Sequence, residues 1–501
     1  MKQHVIAVTT LIALSACDLN IKIDDSEGED LLSDSADYHE ETEEEEGDEL
    51  EDSEDSFEDE EEESLFEDEE EEDNESEDSE DSFEEEGNDE EEDNQQGSED
   101  EDVTNGVLVP TVEWHIGQGT EGEEHVHEGM QTSDGGYIAI GQNQESGSSK
   151  TDILIVKVDA AGQLQWQKSI GSAGQWDVGI AIVEVADGYI AGGGIAVGNT
   201  QKAGLLKLDL SGNMEWQETF AHSGVGMIRG LDVMSNGNLV VTGFVSGVES
   251  GFVFISDESE GFLSVVDLQG NPLWQKNFSD IPQGTKVRQT LDGGFVVLST
   301  AWVESNGQDA MNATLIKTDA TGNVEWKEFY GGGENNQAFD FDLTVDGSFI
   351  LAGHTTGYGA DNWDCLLTKV DSSGNLEWVK RFGQPRGYNS LYIHDECYGV
   401  RQDHDGGFVM TGGSGNETGS YSESGHPTGV ADEWKSYLIK VDASGNLLWE
   451  QVYGDGAGNG NNAAEFLSLT DDGGYMLFND TDSTGEMQPN NYGFMKLSAV
   501  Q

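Results

Sequence analysis

His125-Val126-His127 would put two imidazoles on one side of an extended segment, with Glu124 and Glu128 beside them. Two histidines and a carboxylate can bind zinc, although the His-Glu-x-x-His spacing of helical zinc sites is absent. Asp340 and Asp342 stand two residues apart, so on a strand their carboxyls share a face and could serve as a channel acid and base. Arg386, Tyr388, Tyr392 and His394 crowd one segment, and Tyr421, His426 and Trp434 occupy a later one. Aromatic rings beside polar groups suit stacking on a sugar or gripping a peptide; the alternative is loops that pack on each other and bind nothing. Asp403-His404-Asp405-Gly406 and Asp361-Asn362-Trp363-Asp364 are oxygen-rich turns, yet neither completes the spaced ligand set of a calcium loop. Turn chemistry alone accounts for their aspartates, so structural calcium stays open and no cofactor is required. Nucleophilic chemistry finds no Gly-x-Ser-x-Gly elbow and no recognisable Ser/His/Asp arrangement. Cys365 and Cys397 could form a disulfide in an oxidising compartment, if the fold brings their α-carbons within about 7 Å.

The elements that must position these groups are short strands. From residue 103 to 501, three markers recur in fixed order with a period near 50 to 70 residues. The first is an Asp-Gly or Asn-Gly turn with an aromatic or aliphatic residue after it: Asp134-Gly135-Gly136-Tyr137, then Asp187, Asn236, Asp292, Asp346, Asp405 and Asp472. Such dipeptides favour the positive backbone dihedrals of tight hairpins. The second is an alternating strand such as Ile153 to Asp159. The third is a Gly-containing turn leading to Trp166, Trp216, Trp274, Trp326, Trp378 or Trp449. Each period therefore supplies four strands, A to D, which is one propeller blade.

A further tryptophan strand, around Trp114, stands first with no A to C strands before it, and the last period stops after strand C at Leu497. If the two pair, the N-terminal strand completes the seventh blade and no sheet edge is left open. The expected fold is all-β: a seven-bladed propeller of four-stranded blades. Its A–B and C–D turns share one face, and the longer B–C and D–A connections share the other. That second face should carry Gly117 to His125, Phe244 to Gly261, Ala301 to Asn312, Gln384 to Glu396, Gly412 to Trp434 and Gly454 to Asn462, and with them any ligand.

The Asp-x-x-Gly-Asn-x-x-Trp turn, clearest at Asp371 to Trp378 and Asp442 to Trp449, resembles the tryptophan-docking repeat of quinoprotein-type propellers. That family includes pyrroloquinoline quinone dehydrogenases and a noncatalytic outer-membrane assembly lipoprotein, so the resemblance implies the fold and leaves the chemistry open. The adjacent cysteine pair expected of the dehydrogenases is absent.

The remaining chain is of another kind. The protein has 501 residues with 103 Asp or Glu against 21 Lys or Arg, a net charge of -82. Residues 24–102 hold 49 of those carboxylates and no Lys or Arg. Like charges at helical spacing oppose a helix and nothing there can bury a core, so a disordered acidic tether is expected. So few cations supply no basic patch for a phosphate backbone, which excludes nucleic acid as a partner. Before the tether, Lys2, an apolar run from Val5 to Leu14 and the box Leu14-Ser15-Ala16-Cys17 resemble a bacterial lipoprotein signal peptide. The resemblance implies removal of residues 1–16 and acylation of Cys17, with residues 17–23 as the lipidated N-terminus and the membrane as a partner. Asp18 resembles an inner-membrane retention signal of one bacterial group, whereas the long tether favours the outer membrane or cell surface. The sequence thus describes a lipid-anchored module of a bacterial cell envelope, with a protein, peptide or glycan ligand. A quinoprotein-like or channel-carboxylate enzyme and an envelope assembly scaffold are the alternatives.

Overall fold

A computed structural model describes residues 108–120, 122–144, 148–251, 258–305, 308–387, 390–391, 393–415, 434–454, 461–482 and 491–500. Seven four-stranded antiparallel sheets follow one another, six of them in the order A-B-C-D along the chain. The seventh takes strands A to C from the C-terminus and its outer strand, Val112–Gln118, from the N-terminus. Trp114 lies opposite Lys496 and Ile116 opposite Phe494, so the ring closes as the strand count requires. The A strands Glu124–Gln131, Val178–Val185, Val225–Val233, Lys286–Gln289, Asn336–Leu343, His394–Gln402 and Asn462–Leu469 each touch the next and form the inner wall.

Two sets of repeated contacts hold the blades. Six of the seven D-strand tryptophans lie over a glycine in the C–D turn of the following blade: Trp166 on Gly212, Trp216 on Gly270, Trp274 on Gly322, Trp326 on Gly374 and Trp378 on Gly445. The sixth is Trp114 on Gly162; Trp449 faces blade 7, whose C and D strands come from opposite ends of the chain and share no turn. These glycines have φ between +76° and +88°, and a Cβ would stand 2.7–3.1 Å from the ring. Two demands, a left-handed backbone and a flat surface for indole, thus fall on one residue. The aromatic after each Asp-Gly turn meets the same indole, as in Trp326 with Phe349 at 6.1 Å between centroids.

The second set is a buried lysine on strand C. Lys157, Lys207, Lys317, Lys369, Lys440 and Lys496 are buried and reach back to the aspartate of their own Asp-Gly turn, at 2.8–3.2 Å. Four also bind a glutamate on strand D, such as Lys317 with Glu325 at 3.0 Å. Blade 3 has Val265 where the others have lysine and Asn236 where they have aspartate, so both partners are replaced together and no buried charge is stranded.

The face of short turns is laced shut. Gln131, Glu184, Gln289 and Gln402 end their A strands and accept a backbone N–H from the preceding blade's turn, at Asp471, Ser133, Ser235 and Val345. On the other face, Ala301 to Asn312, expected as irregular loop, is instead the tip of a hairpin. Strands Phe295–Ser305 and Gln308–Thr318 pair in register to Ser305 opposite Gln308. The pairing thus runs on past Ala301, with a β-branched and aromatic run, Thr300-Ala301-Trp302-Val303, on the outgoing strand.

Candidate functional site

Six of the seven inner strands carry a register shift against strand B at the same place, between Val126 and Glu128, Gly179 and Ala181, Ile228 and Gly230, Ala338 and Asp340, Cys397 and Gly399, and Ala464 and Phe466. A bulge inserts one residue and re-aims its side chain. The inserted residues are His127, Ile180, Arg229, Phe339, Tyr398 and Glu465; Thr285 occupies the matching position before the shorter strand of blade 4. All seven line one central cavity of about 60 Å³, together with His125, Lys286 and Phe466. One backbone device, repeated around the ring, thus presents imidazole, guanidinium, hydroxyl, phenol and carboxylate to a shared space.

The cavity has a floor. Glu128 of blade 1 and Lys286 of blade 4 form an ion pair across the channel, and the Lys286 ammonium lies 4.8 Å from the Phe466 ring centre in blade 7. Below it Asp340 binds Arg401 and the Val400 N–H, while Asp342 accepts the Gln402 N–H at 3.0 Å. The two carboxylates expected as a channel acid and base are therefore engaged in joining blade 5 to blade 6. Burial works against Arg288, but Asp232, Asp340, Asp342 and Glu128 around it hold its guanidinium charged above the ordinary range. Because most cavity residues, such as His125, Ile180 and Lys286, lie toward the start of their A strands, the cavity lies toward the face of long connections.

His125 and His127 both line the cavity, with ring centres 4.7 Å apart and planes nearly perpendicular. His127 Nδ1 donates to the Gly179 carbonyl at 2.6 Å, and burial keeps the ring neutral, helped by the charges of His125, Arg229 and Lys286. His125 Nδ1 instead meets Asp480 Oδ2. Burial would lower its pKa, but Asp480 and the further carboxylates Glu465 and Glu123 raise it to about 9. Asp480 Oδ1 accepts the Val126 N–H at 2.8 Å, which fixes the carboxylate. Glu465 is 6 % exposed, and burial with Asp480 and Glu396 nearby pushes its carboxyl well above the usual range despite His125. The carboxylates adjacent in sequence go elsewhere: Glu124 accepts the Thr120 N–H and Glu128 takes Lys286.

Across the cavity, His394 Nδ1 lies 3.3 Å from Glu396 Oε1, whose other oxygen accepts the Tyr398 hydroxyl. His354 Nε2 meets Gln337 Oε1 at 2.8 Å and stacks edge-on against Trp363. Arg386 donates to the Ser414 carbonyl at 2.9 Å. Trp434 is 4 % exposed and folds over Gly413 and Gly415, so its ring packs the base of the insertion instead of offering a platform. Tyr388, Tyr392, Tyr421, His426 and Cys17 lie outside the described residues. Cys365 and Cys397 are joined, with α-carbons 5.1 Å apart, and tie strand C of blade 5 to strand A of blade 6. The oxygen-rich turns are occupied by protein groups: Asp403 and Asp405 hold Lys440, and Asp364 holds Arg381.

Sequence reasoning missed Glu465, Arg229 and Tyr398, because their contribution depends on the bulge, and Asp480, which reaches His125 only where blade 7 meets blade 1. It also missed Trp302, 46 % exposed on the protruding hairpin. Its signal was a bulky aromatic next to a run of strand formers.

No protein-family model matches the chain, and no curated protein does. Solved structures resemble it at low identity. A protein of unknown function from Bacteroides caccae is 13% identical, over 61% of this chain and 92% of that one, with a TM-score of 0.36. The WD40 domain of Neurospora crassa Pan2 is 12% identical, over 75% and 89%, with a TM-score of 0.45. PorZ, a surface component of the type-IX secretion system of Porphyromonas gingivalis, is 12% identical over 74% of this chain and 46% of that one, with a TM-score of 0.42. The strand topology itself establishes what the chain is in structural terms: a seven-bladed β-propeller closed by its N-terminal strand.

Proposed function

We propose that the protein is a binding module of a bacterial cell envelope, anchored through acylated Cys17 and carrying its propeller on the acidic segment as a tether. The observation that carries the binding role is the contrast between the propeller's ends: one laced by hydrogen bonds from A-strand side chains to the neighbouring blade's turn, the other open above a floored cavity lined by ten side chains, seven of them unlike groups at one level of the ring. Rigid scaffolds with varied groups at one mouth are how propellers and other ring folds present ligand sites. The ligand is a glycan or peptide that meets the long-connection face, with Trp302 as an aromatic contact. The channel-carboxylate enzyme loses support because Asp340 and Asp342 are committed to Arg401 and to backbone N–H groups. Lipoprotein anchoring and the likeness to quinoprotein-type propellers rest on the sequence motifs.

The test is to screen the acylated, full-length chain on arrays of glycans, peptidoglycan fragments and envelope peptides beside Trp302→Ala. Binding that falls about tenfold or more in the variant supports the reading, since exposed aromatic contacts commonly carry more than 1 kcal/mol. Binding that ignores Trp302 and every other change on this face overturns the placement. A folded chain that captures no probe overturns the glycan or peptide ligand. Incorporation of an alkyne-tagged fatty acid, lost in Cys17→Ser, checks the anchor.

A further inference from the structure

Glu465 and Asp480 come from two strands of blade 7 and His125 from blade 1, 340 and more residues before them in the chain. One ligand atom of each, an imidazole nitrogen or a carboxylate oxygen, lies within 4.8 Å of the other two, and all three residues are buried. Asp480 is fixed by the Val126 N–H on Oδ1, which turns Oδ2 toward His125. Glu465 supplies an independent observation: its Oε1 is buried and has no hydrogen-bond partner among the described residues. A native fold seldom buries a carboxylate oxygen with nothing to bind it.

We infer that His125, Glu465 and Asp480 form a divalent-metal site at the wall of the central cavity, with zinc the preferred ion. One imidazole nitrogen and two carboxylate oxygens make a mixed set that suits first-row divalent ions over calcium or magnesium, and zinc accepts three protein ligands with one open position. His125 and Glu465 both line the cavity, so the open position faces it and can take water or an oxygen of a bound ligand. A dication also offsets the repulsion between two carboxylates held side by side out of water. The competing account is a plain His125–Asp480 ion pair with Glu465 as a bystander, and the two accounts differ at Glu465. The site stands independently of the ligand assigned to the loop face.

Zinc itself is the probe, added to the full-length chain after treatment with chelator. The wild-type unfolding midpoint rises by roughly 3 °C at a hundredfold excess over the dissociation constant, because only the folded ring assembles the three ligands. Glu465→Gln keeps the side chain's shape, so its metal-free midpoint stays at or above the wild type while the zinc-dependent rise is lost. The acidic segment is identical in both proteins and contributes the same background to each. Cobalt gives a reading that needs no variant: a four-coordinate N/O site yields intense visible absorption at one ion per chain, whereas hydrated carboxylates yield only faint bands. A rise of equal size in Glu465→Gln, no rise in the wild type, or faint cobalt bands alone would each overturn the metal site.

Discussion

The belt of lysine and tryptophan contacts and the inner ring of bulge residues are both sevenfold positions on one repeating backbone, yet their sequences behave in opposite ways. The belt repeats one solution: lysine to aspartate in six blades, and indole over glycine between blades. The ring repeats one backbone device in six blades and presents at that level His127, Ile180, Arg229, Phe339, Tyr398 and Glu465, with Thr285 at the matching place in blade 4. Repetition marks what each blade needs in order to fold. Divergence at a geometrically equivalent place marks what the molecule does once folded, because packing alone would ask for the same residue each time.

The largest expected losses come from cutting ties that hold the blades, first the disulfide between blades 5 and 6 and then a belt lysine. Reduction of the Cys365–Cys397 bond, which spans 32 residues, is expected to cost about 3 to 4 kcal/mol, seen as a lowered unfolding midpoint in dithiothreitol. Lys317→Ala leaves Asp292 and Glu325 without their cation and empties a buried site, for a loss of about 3 kcal/mol in denaturant unfolding. Lys317→Val with Asp292→Asn copies blade 3, and should cost clearly less than the sum of the two single changes in a double-mutant cycle.

Acid probes the same belt. The Thr290 hydroxyl and Lys317 hold the Asp292 carboxyl down at about 2; burial opposes the shift at Asp472, but Thr470 and Lys496 hold it there as well. Both values lie below those of the unfolded chain, so their stabilisation is present above about pH 4 and is lost as pH falls toward 2. Midpoints measured from pH 5 to pH 2 should drop through that window, and less steeply in the Lys317→Val/Asp292→Asn double variant. At the inner ring the effects are smallest. The Thr285 hydroxyl is buried without a hydrogen-bond partner among the described residues, so Thr285→Val should change stability by no more than about 0.5 kcal/mol, in either direction.

How much of this was legible in the sequence follows from the same contrast. Turns, tryptophans and the closing strand are local or counted features, so the period and the pairing of Val112–Gln118 with Asn491–Leu497 could be read directly. The lysine belt was equally local, and its joint loss with aspartate in blade 3 was visible to comparison among the repeats. The inner ring was legible only in part: His125 and His127 were expected on one side of an entering strand, and both line the cavity. Strict alternation puts Glu128 on the opposite side, but the bulge at His127 breaks the alternation and Glu128 meets Lys286 across the channel. Asp480 and Glu465 approach His125 only because the last blade meets the first, a contact no local spacing encodes. Trp434 illustrates the reverse error: a loop tryptophan looks like a platform until two glycines, Gly413 and Gly415, leave a trough for its ring.

The most direct test of the division between belt and ring is the zinc-dependent shift of the unfolding midpoint, measured in parallel on the full-length wild type, the Lys317→Val/Asp292→Asn belt variant and Glu465→Gln. The account predicts that the belt variant unfolds at a lower temperature and keeps the wild-type shift, while Glu465→Gln keeps its midpoint and loses the shift. Stability and shift falling together in both variants would contradict it.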